Sequence, residues 1–105
     1  MKLKDRVAIV TGGGKGIGQE ICLGLVKEGA KIVIAEIDIE NSEKAKKKIL
    51  EAGSEAIIIK TNVSNHKSIN EMVDQTNKHY GKIDILINNA GIRHVKKLLD
   101  HTKQD

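Results

Sequence analysis

The sequence predicts an α/β fold: a Rossmann-like, doubly wound parallel sheet of about four strands, with three helices that alternate with the strands along the chain. Short apolar runs alternate with longer segments whose apolar residues recur at helical spacing. Glycine follows each helical segment, at the position where helices commonly end. Because no repeat, linker or low-complexity segment interrupts the 105 residues, we expect a single domain built from right-handed βαβ units.

The composition is that of a globular chain, with 39% hydrophobic and 30% charged residues. Tyr80 is the only aromatic residue, so isoleucine, valine, leucine and alanine must form the core. The net charge is +4, and the densest lysine cluster is Lys46, Lys47 and Lys48. No aromatic residues lie between these lysines for base stacking, so we expect a solvated helix face and no nucleic-acid partner.

Cellular location is predicted from the single cysteine and from the lack of a long apolar segment. Cys22 has no second cysteine to pair with, and we expect it to be a packed, reduced thiol. The charged residues 1–6 lead into a run too short for a signal sequence. No apolar stretch is long enough to span a membrane. We therefore expect a cytoplasmic protein without a membrane partner.

The first strand is predicted over the apolar residues 7–10, and a glycine-rich stretch from Thr11 to Gly18 follows it. A helix should begin within that stretch, because three apolar residues recur at four-residue spacing: Ile17, Ile21 and Leu25. Strand, glycine loop and helix together aim backbone N–H groups and the positive end of a helix dipole at a phosphate. The loop therefore predicts a phosphate-binding site, with a flexible turn as the alternative.

An acidic residue after the second strand strengthens this interpretation. Gly12, Gly16 and Gly18 follow the spacing G-x-x-x-G-x-G, and the next strand is expected over residues 32–35. Glu36 ends that strand, about 20 positions after the loop, where an acidic side chain can hold a ribose hydroxyl. This order of loop, helix, strand and acid favours nucleotide binding over a structural loop.

The second helix is expected over residues 40–52, with Asn41 as its candidate cap and Gly53 as its stop. Its inner face would carry Ala45, Ile49 and Ala52. A third strand is expected over residues 55–61. A third helix would then be capped by Ser64 and end at Gly81, with the inner face Ile69, Met72, Val73, Thr76 and Tyr80.

The fourth strand is expected over residues 83–87, at the edge of the sheet. Its apolar side chains would then be exposed, which favours self-association through this strand. Near the end of the sequence, Thr102 and Asp105 have the spacing of a capping box that opens a helix. We therefore expect that residues 1–105 form one dinucleotide-binding domain that is incomplete at its C-terminus.

Four motifs, in this order and spacing, resemble the short-chain dehydrogenase/reductase family: Thr11-Gly12-x-x-x-Gly16-Ile17-Gly18, Glu36, Asn62-Val63 and Asn88-Asn89-Ala90-Gly91. The resemblance covers essentially the whole chain. It implies a Rossmann-like sheet in the order 3-2-1-4 and the cofactor-binding half of the family fold. It also implies hydride transfer between a nicotinamide cofactor and an alcohol or carbonyl, for example of the 3-oxoacyl or sugar type.

The resemblance also implies which residues bind the cofactor. Those at the phosphates would be Gly12, Gly14, Lys15, Gly16, Ile17 and Gly18. Glu36 would accept a hydrogen bond from the adenosine ribose, and Asn62 and Val63 would lie at the adenine. Asn89, Ala90 and Gly91 would lie beside the ribose and the central sheet. The family usually has aspartate where this chain has Asn62, whose amide can still donate and accept at the adenine edge.

Two residues predict opposite cofactor preferences. Glu36 would accept from a ribose 2′-hydroxyl and repel a 2′-phosphate, which favours NAD. Lys15 could attract that phosphate, which would favour NADP. A carboxylate at the ribose discriminates more sharply than a mobile lysine, so we expect NAD rather than NADP.

The family's catalytic serine and its Tyr-x-x-x-Lys motif are expected downstream of residue 105. Tyr80 has no lysine four positions on, and the serines lie at predicted turns and helix starts. The four histidines lack metal-ligand spacing. We therefore expect no catalytic residue and no metal site in this chain, which should be inactive alone. The alternative is an NAD-binding or interaction module without catalysis.

Overall fold

The computed structural model describes residues 2–14 and 16–89. Strands and helices alternate through these residues: β1 (Val7–Thr11), α1 (Gly16–Lys27), β2 (Lys31–Glu36), α2 (Ile39–Glu51), β3 (Ala56–Lys60), α3 (His66–Tyr80) and β4 (Ile85–Asn88). This confirms the predicted alternation. The predicted capping box of Thr102 and Asp105 lies outside the described residues, as do the candidate site residues Lys15, Ala90 and Gly91.

The four strands form one parallel sheet in the order β3-β2-β1-β4, which confirms the predicted order. Strand β1 is central, and all five of its residues are buried. Thr11, at its carboxyl end, is level with Ala35 of β2 and Asn88 of β4. When helices cover both faces of a parallel sheet, its strands consist of continuous apolar residues. This is why apolar and polar residues do not alternate along β1 and β2.

Helices cover both faces of the sheet. Side chains of α1 and α2 pack on one face, in a cluster that includes Ala8, Val10, Ile32, Ile34, Cys22, Val26, Ala45 and Ile49. Helix α3 packs on the other face, in a cluster that includes Val7, Ile9, Val33, Ile59, Ile69 and Met72. Among the described residues, no helix combines the length and the apolar character needed to cross a membrane.

The buried face of α1 differs from the predicted one. The sequence pattern placed Ile17 on the inner stripe, but this side chain is 73% exposed. The buried residues of α1 are Gly18, Cys22 and Val26, whereas Ile21 and Leu25 are half-buried. Gly18 and Cys22 have little or no apolar side chain, so a count of large apolar residues at helical spacing misses this face.

The N-terminal caps of α2 and α3 also differ from the predicted ones. Asp38, not Asn41, caps α2, and its Oδ1 accepts from the backbone N–H of Asn41 at 3.1 Å. Asn65, not Ser64, caps α3, and its Oδ1 accepts from the N–H of Ser68 at 2.9 Å. All of these side chains suit a cap, so their type does not decide which of them takes the extended backbone of a capping residue.

The helix ends are closer to the predictions. Gly81 takes the left-handed conformation, with φ of 79°, and its N–H donates to the Asn77 carbonyl at 2.8 Å. Gly53, with φ of 88°, follows α2 in the same way. Ala52, which the pattern placed on the inner face of α2, is instead the exposed C-cap.

Asp84 joins the amino ends of β1 and β4. Its Oδ2 accepts from the Val7 N–H at 2.8 Å, and its own N–H donates to the Val7 carbonyl at 2.9 Å. Lys82 and Arg6 each place a side-chain nitrogen 3.3 Å from the carboxylate. The backbone bond from Val7, followed by the two cations, lowers the pKa of Asp84 below its ordinary value of 3.8.

The lowered pKa predicts how Asp84→Asn changes stability with pH. Asparagine can still accept from the Val7 N–H but carries no charge, so the variant should be less stable than the wild type at pH 7. The stabilisation by ionised Asp84 is complete above its ordinary pKa of 3.8 and is lost as the pH falls through the lower folded value. Urea unfolding of both proteins from pH 7 to pH 2 measures this difference. Asp74→Asn, at an exposed position of α3, is the control. A difference that does not change with pH would contradict the prediction.

Candidate functional site

The candidate site lies at the carboxyl edge of the sheet. The glycine loop leaves β1 there, next to Glu36 at the end of β2 and Asn89 just after β4. The connection from β1 leads to β2 on one side, whereas β4 lies on the other side. Ligands of open α/β sheets bind at such a point, where the order of the strands reverses.

The glycine loop packs tightly against the first turn of α1. Gly12 has a φ of 67°, and its N–H donates to the Ala35 carbonyl at 2.9 Å. A Cβ on Gly18 would overlap the Gly12 carbonyl oxygen and lie 2.8 Å from Nδ2 of Asn89. Glycine is therefore required at position 12 by the positive φ and at position 18 by the close approach of the backbone.

Gly14 is placed against α2, a contact that the sequence did not predict. A Cβ on Gly14 would lie 2.8 Å from the backbone nitrogen of Ser42 and 3.0 Å from the carbonyl carbon of Asn41. A Cβ on Gly13 would lie 3.1 Å from Sγ of Cys22. These two glycines therefore leave room for neighbouring helices, in addition to any room they leave for a ligand.

Asn89 connects the end of β4 to the glycine loop. Its N–H donates to Oγ1 of the buried Thr11 at 2.9 Å, and Thr11 Oγ1 donates to the Ile87 carbonyl at 3.3 Å. The Asn89 side-chain amide donates to the Gly12 carbonyl at 3.4 Å. The structure therefore brings Asn89 to the loop, whereas the buried Oδ1 of Asn88 has no hydrogen-bond partner among residues 2–14 and 16–89.

The Glu36 carboxylate is held by the backbone that follows it. The residue is only 9% exposed, and its Oε1 accepts from the N–H of Ile37 at 3.0 Å and of Asp38 at 3.3 Å. Within the part of the chain that the structure describes, its second oxygen, Oε2, makes no hydrogen bond. One carboxylate oxygen therefore positions the side chain and leaves the other to accept from a ligand.

A cavity of about 230 Å³ lies between the ends of β2 and β3 and is lined by Gly12, Ala35, Glu36, Ile37, Thr61, Asn62 and Val63. It brings together four residues that the sequence singled out: Gly12, Glu36, Asn62 and Val63. Sequence reasoning did not assign Ala35, Ile37 or Thr61 to the site, and each of these directly adjoins a residue that it did assign. Because ligand pockets typically measure about 300–1,000 Å³, this cavity suits one end of a dinucleotide.

The remaining predicted site residues lie around the glycine loop. Gly16, with φ of 37°, has open space where a Cβ would lie, and the exposed Ile17 follows it. Neither residue lines the cavity at Glu36. The loop and the cavity are therefore two neighbouring parts of one edge, as a ligand with separate phosphate and nucleoside ends requires.

Comparison with known proteins identifies the family. A sequence model of the short chain dehydrogenase family matches residues 6–105. The chain belongs to this family. An uncharacterized oxidoreductase of Thermotoga maritima is 38% identical over 103 residues, which are 98% of this chain and 40% of the relative. General stress protein 39 of Bacillus subtilis is 41% identical, over 91% of this chain and 34% of its own length.

Solved structures of short chain dehydrogenases have the same fold. NAD⁺-bound xylitol dehydrogenase is similar with a TM-score of 0.84 and 36% identity, over 87% of this chain and 35% of its own. Glucose dehydrogenase of Caenorhabditis elegans, in the apo form, is similar with a TM-score of 0.87 and 29% identity, over 96% of this chain and 49% of its own. The chain thus spans less than half the length of the relatives and structures that it matches here.

Tyr80 lies at the amino edge of the sheet, opposite the edge that carries the candidate site. It ends α3, which returns to the amino edge of the sheet, and its ring centroid lies 5.9 Å from Nζ of Lys31 at the start of β2. Burial, followed by the nearby charge of Glu55, raises the pKa of Tyr80 to about 12. Among the described residues, no cluster of acidic, histidine or cysteine side chains could hold a metal ion.

Cys22 is a packed thiol. It is fully buried beneath the glycine loop, and its Sγ lies 3.9 Å from the Gly13 carbonyl oxygen. Burial raises its pKa from 9.0 to about 12, and this outweighs the lowering of the pKa by a hydrogen bond with the backbone of Cys22 itself. The thiolate form is therefore negligible near neutral pH.

Two glycines of α1 provide a matched test of the loop packing. Gly18→Ala should destabilise the protein by about 1–3 kcal/mol or more, because the new methyl group meets backbone that cannot move away. Gly24→Ala should stabilise it by about 0.5–1 kcal/mol, because this helical glycine has open space around it. Urea unfolding followed by circular dichroism measures both changes. Equal effects of the two substitutions would contradict the close contact at Gly18.

Proposed function

We propose that this chain binds NAD and forms the cofactor-binding part of an oxidoreductase. The enzyme would transfer a hydride between the nicotinamide and an alcohol or carbonyl. The observation that carries this proposal is the Glu36 carboxylate, which two backbone N–H groups hold at the edge of the cavity with Oε2 available. A buried, preoriented acceptor at this position suits a ribose hydroxyl.

The preference for NAD over NADP follows from the charge of Glu36. A 2′-phosphate would bring a second negative charge to a carboxylate that is only 9% exposed and therefore poorly screened by solvent. A 2′-hydroxyl instead donates a hydrogen bond to Oε2. The N–H groups of the glycine loop and the first turn of α1 would hold the pyrophosphate. The bound cofactor would supply the hydride acceptor or donor.

The comparisons support the class of reaction. Three structural neighbours are described as dehydrogenases of xylitol, of a hydroxysteroid and of glucose. We therefore propose a substrate that carries a hydroxyl or carbonyl group. We also propose a reducing, cytoplasmic setting, because the only cysteine of the chain is a buried free thiol.

We further propose that the 105-residue chain has no turnover of its own. A short-chain dehydrogenase is expected to use a serine and a Tyr-x-x-x-Lys motif, and the single tyrosine of this chain packs at the opposite edge of the sheet. The carboxyl edge of the described residues offers a carboxylate, amides and a hydroxyl, which suit binding and orientation. A module that binds NAD without catalysis is the second candidate.

Parallel titration calorimetry with NADH and NADPH tests the binding proposal. The wild-type chain should bind NADH in a saturable way and NADPH at least about tenfold more weakly. Glu36→Gln should reduce this preference about tenfold, because its amide cannot replace a charged acceptor. Glu40→Gln, at an exposed position in the first turn of α2, should not change it. A folded protein that binds neither nucleotide would overturn the proposal, and dehydrogenase turnover by the pure chain would overturn the proposed inactivity.

We also propose that the chain self-associates through β4. This strand is at one edge of the described sheet, and all four of its residues are half-buried. A second copy could pair with this edge and cover its apolar side chains.

Light scattering at increasing protein concentration should show a dimer or a larger species. Leu86→Lys in β4 should shift the protein towards monomer, since a lysine on an edge strand disfavours pairing. Ile58→Lys is the matched control, because Ile58 is also half-buried but lies on β3 at the opposite edge. A wild-type monomer at all concentrations would contradict this proposal.

A further inference from the structure

The first turn of α2 lies directly against the middle of the glycine loop. Gly14 is buried, and a Cβ on it would lie 2.8 Å from the backbone nitrogen of Ser42 and 3.0 Å from the carbonyl carbon of Asn41. Both of these atoms belong to the backbone, so they could not avoid a methyl group by rotation about a side-chain bond. A side chain at position 14 would therefore have to move the loop, the first turn of α2, or both.

The loop residues that precede Gly14 are held on the sheet. The N–H of Gly12 donates to the Ala35 carbonyl at 2.9 Å. A Cβ on Gly13 would lie 3.2 Å from the Val10 carbonyl oxygen, so Gly13 also lies close to β1. This part of the loop has little room to withdraw. A methyl group at position 14 should therefore displace the first turn of α2.

Four hydrogen bonds join that first turn to its cap, Asp38. The two carboxylate oxygens of Asp38 accept from Asn41, Oδ1 from the backbone N–H at 3.1 Å and Oδ2 from the side-chain Nδ2 at 2.7 Å. The Asp38 carbonyl accepts from Ser42, from its backbone N–H at 3.2 Å and from its hydroxyl at 2.9 Å. A shift of Asn41 and Ser42 would therefore also shift Asp38.

Asp38 is one of the two residues whose backbone holds the Glu36 carboxylate. Its N–H donates to Oε1 of Glu36 at 3.3 Å, whereas the N–H of Ile37 donates to the same atom at 3.0 Å. The bond from Asp38 is the longer one, so a displacement of α2 would weaken it first. The carboxylate would then be held by Ile37 alone and could turn away from a 2′-phosphate.

We propose that Gly14 is a positioning residue for cofactor discrimination, because the lack of a side chain there lets α2 hold Asp38 and, through it, Glu36. The inference rests on the proposed function, in which Glu36 disfavours NADP. Gly14 does not line the cavity at Glu36. Any contact that it makes with the pyrophosphate is common to NADH and NADPH, and therefore cancels in the ratio of their dissociation constants.

Calorimetric titration of Gly14→Ala with NADH and with NADPH tests this proposal. The variant should lose about threefold or more of the wild-type preference for NADH, because one of the two hydrogen bonds that fix the charged acceptor is weakened. Gly13→Ala is the matched control, since its methyl group would crowd the same loop but would lie closest to Cys22 and Val10, not to α2. Any loss of affinity in this control should be the same for both nucleotides.

A second variant tests the same coupling without adding an atom near the loop. Asn41→Ala combined with Ser42→Ala removes two of the four hydrogen bonds to Asp38, and alanine is well suited to a helix. This double variant should also lower the preference for NADH. It provides the test if Gly14→Ala does not fold or binds neither nucleotide.

The outcomes separate this inference from the proposed function. A folded Gly14→Ala that keeps the wild-type ratio would overturn the positioning role of Gly14 and leave NAD binding intact. If Gly14→Ala does not fold or bind, an unchanged ratio in the double variant has the same consequence. A folded wild type that binds neither nucleotide, or that binds both equally, would overturn the proposed cofactor preference as well.

Discussion

The close contact between Gly18 and Gly12 is the constraint on which the site depends. Because a Cβ at position 18 would overlap the Gly12 carbonyl oxygen, the first turn of α1 lies directly on the end of β1. This contact sets the rotation of α1, so Cys22 and Val26 face the sheet and Ile17 faces away from it. The same contact brings the N-terminus of α1 to the carboxyl edge, where its dipole can act on a phosphate.

Hydrogen bonds to the backbone then position the polar side chains of this edge. Thr11 and Asn89 join the ends of β1 and β4, and the Asn89 amide reaches the Gly12 carbonyl. Glu36 is held by the N–H groups that follow it, and Asn62 is held by Ser64. In both cases one side-chain oxygen is used for positioning, and the other polar atom makes no hydrogen bond within the described residues. Such preorganisation reduces the entropy lost when a ligand binds.

The middle of the glycine loop and α2 are also coupled. Gly14 has no room for a side chain because the first turn of α2 lies against it, and Asp38 caps that turn. The Asp38 N–H also donates to the Glu36 carboxylate. The glycine loop, the α2 cap Asp38 and the Glu36 carboxylate are therefore connected by direct contacts. A change at Gly14 would therefore also reach Glu36 through the backbone.

The local sequence pattern was sufficient to predict the order of the strands and helices and the parallel sheet. It was also sufficient to predict the glycines that follow the helices and the position of Glu36 at the end of β2. These features depend on residues close together in the chain, or on rules that hold for all βαβ units. The tertiary structure alone decided that Gly18 and Cys22, not Ile17, face the core, that Asp38 and Asn65 cap their helices, and that Gly14 meets α2. It also decided that the Asn62 side-chain oxygen accepts from Ser64. Each of these depends on a backbone approach or a choice between equally suitable side chains, which residue type and spacing do not specify.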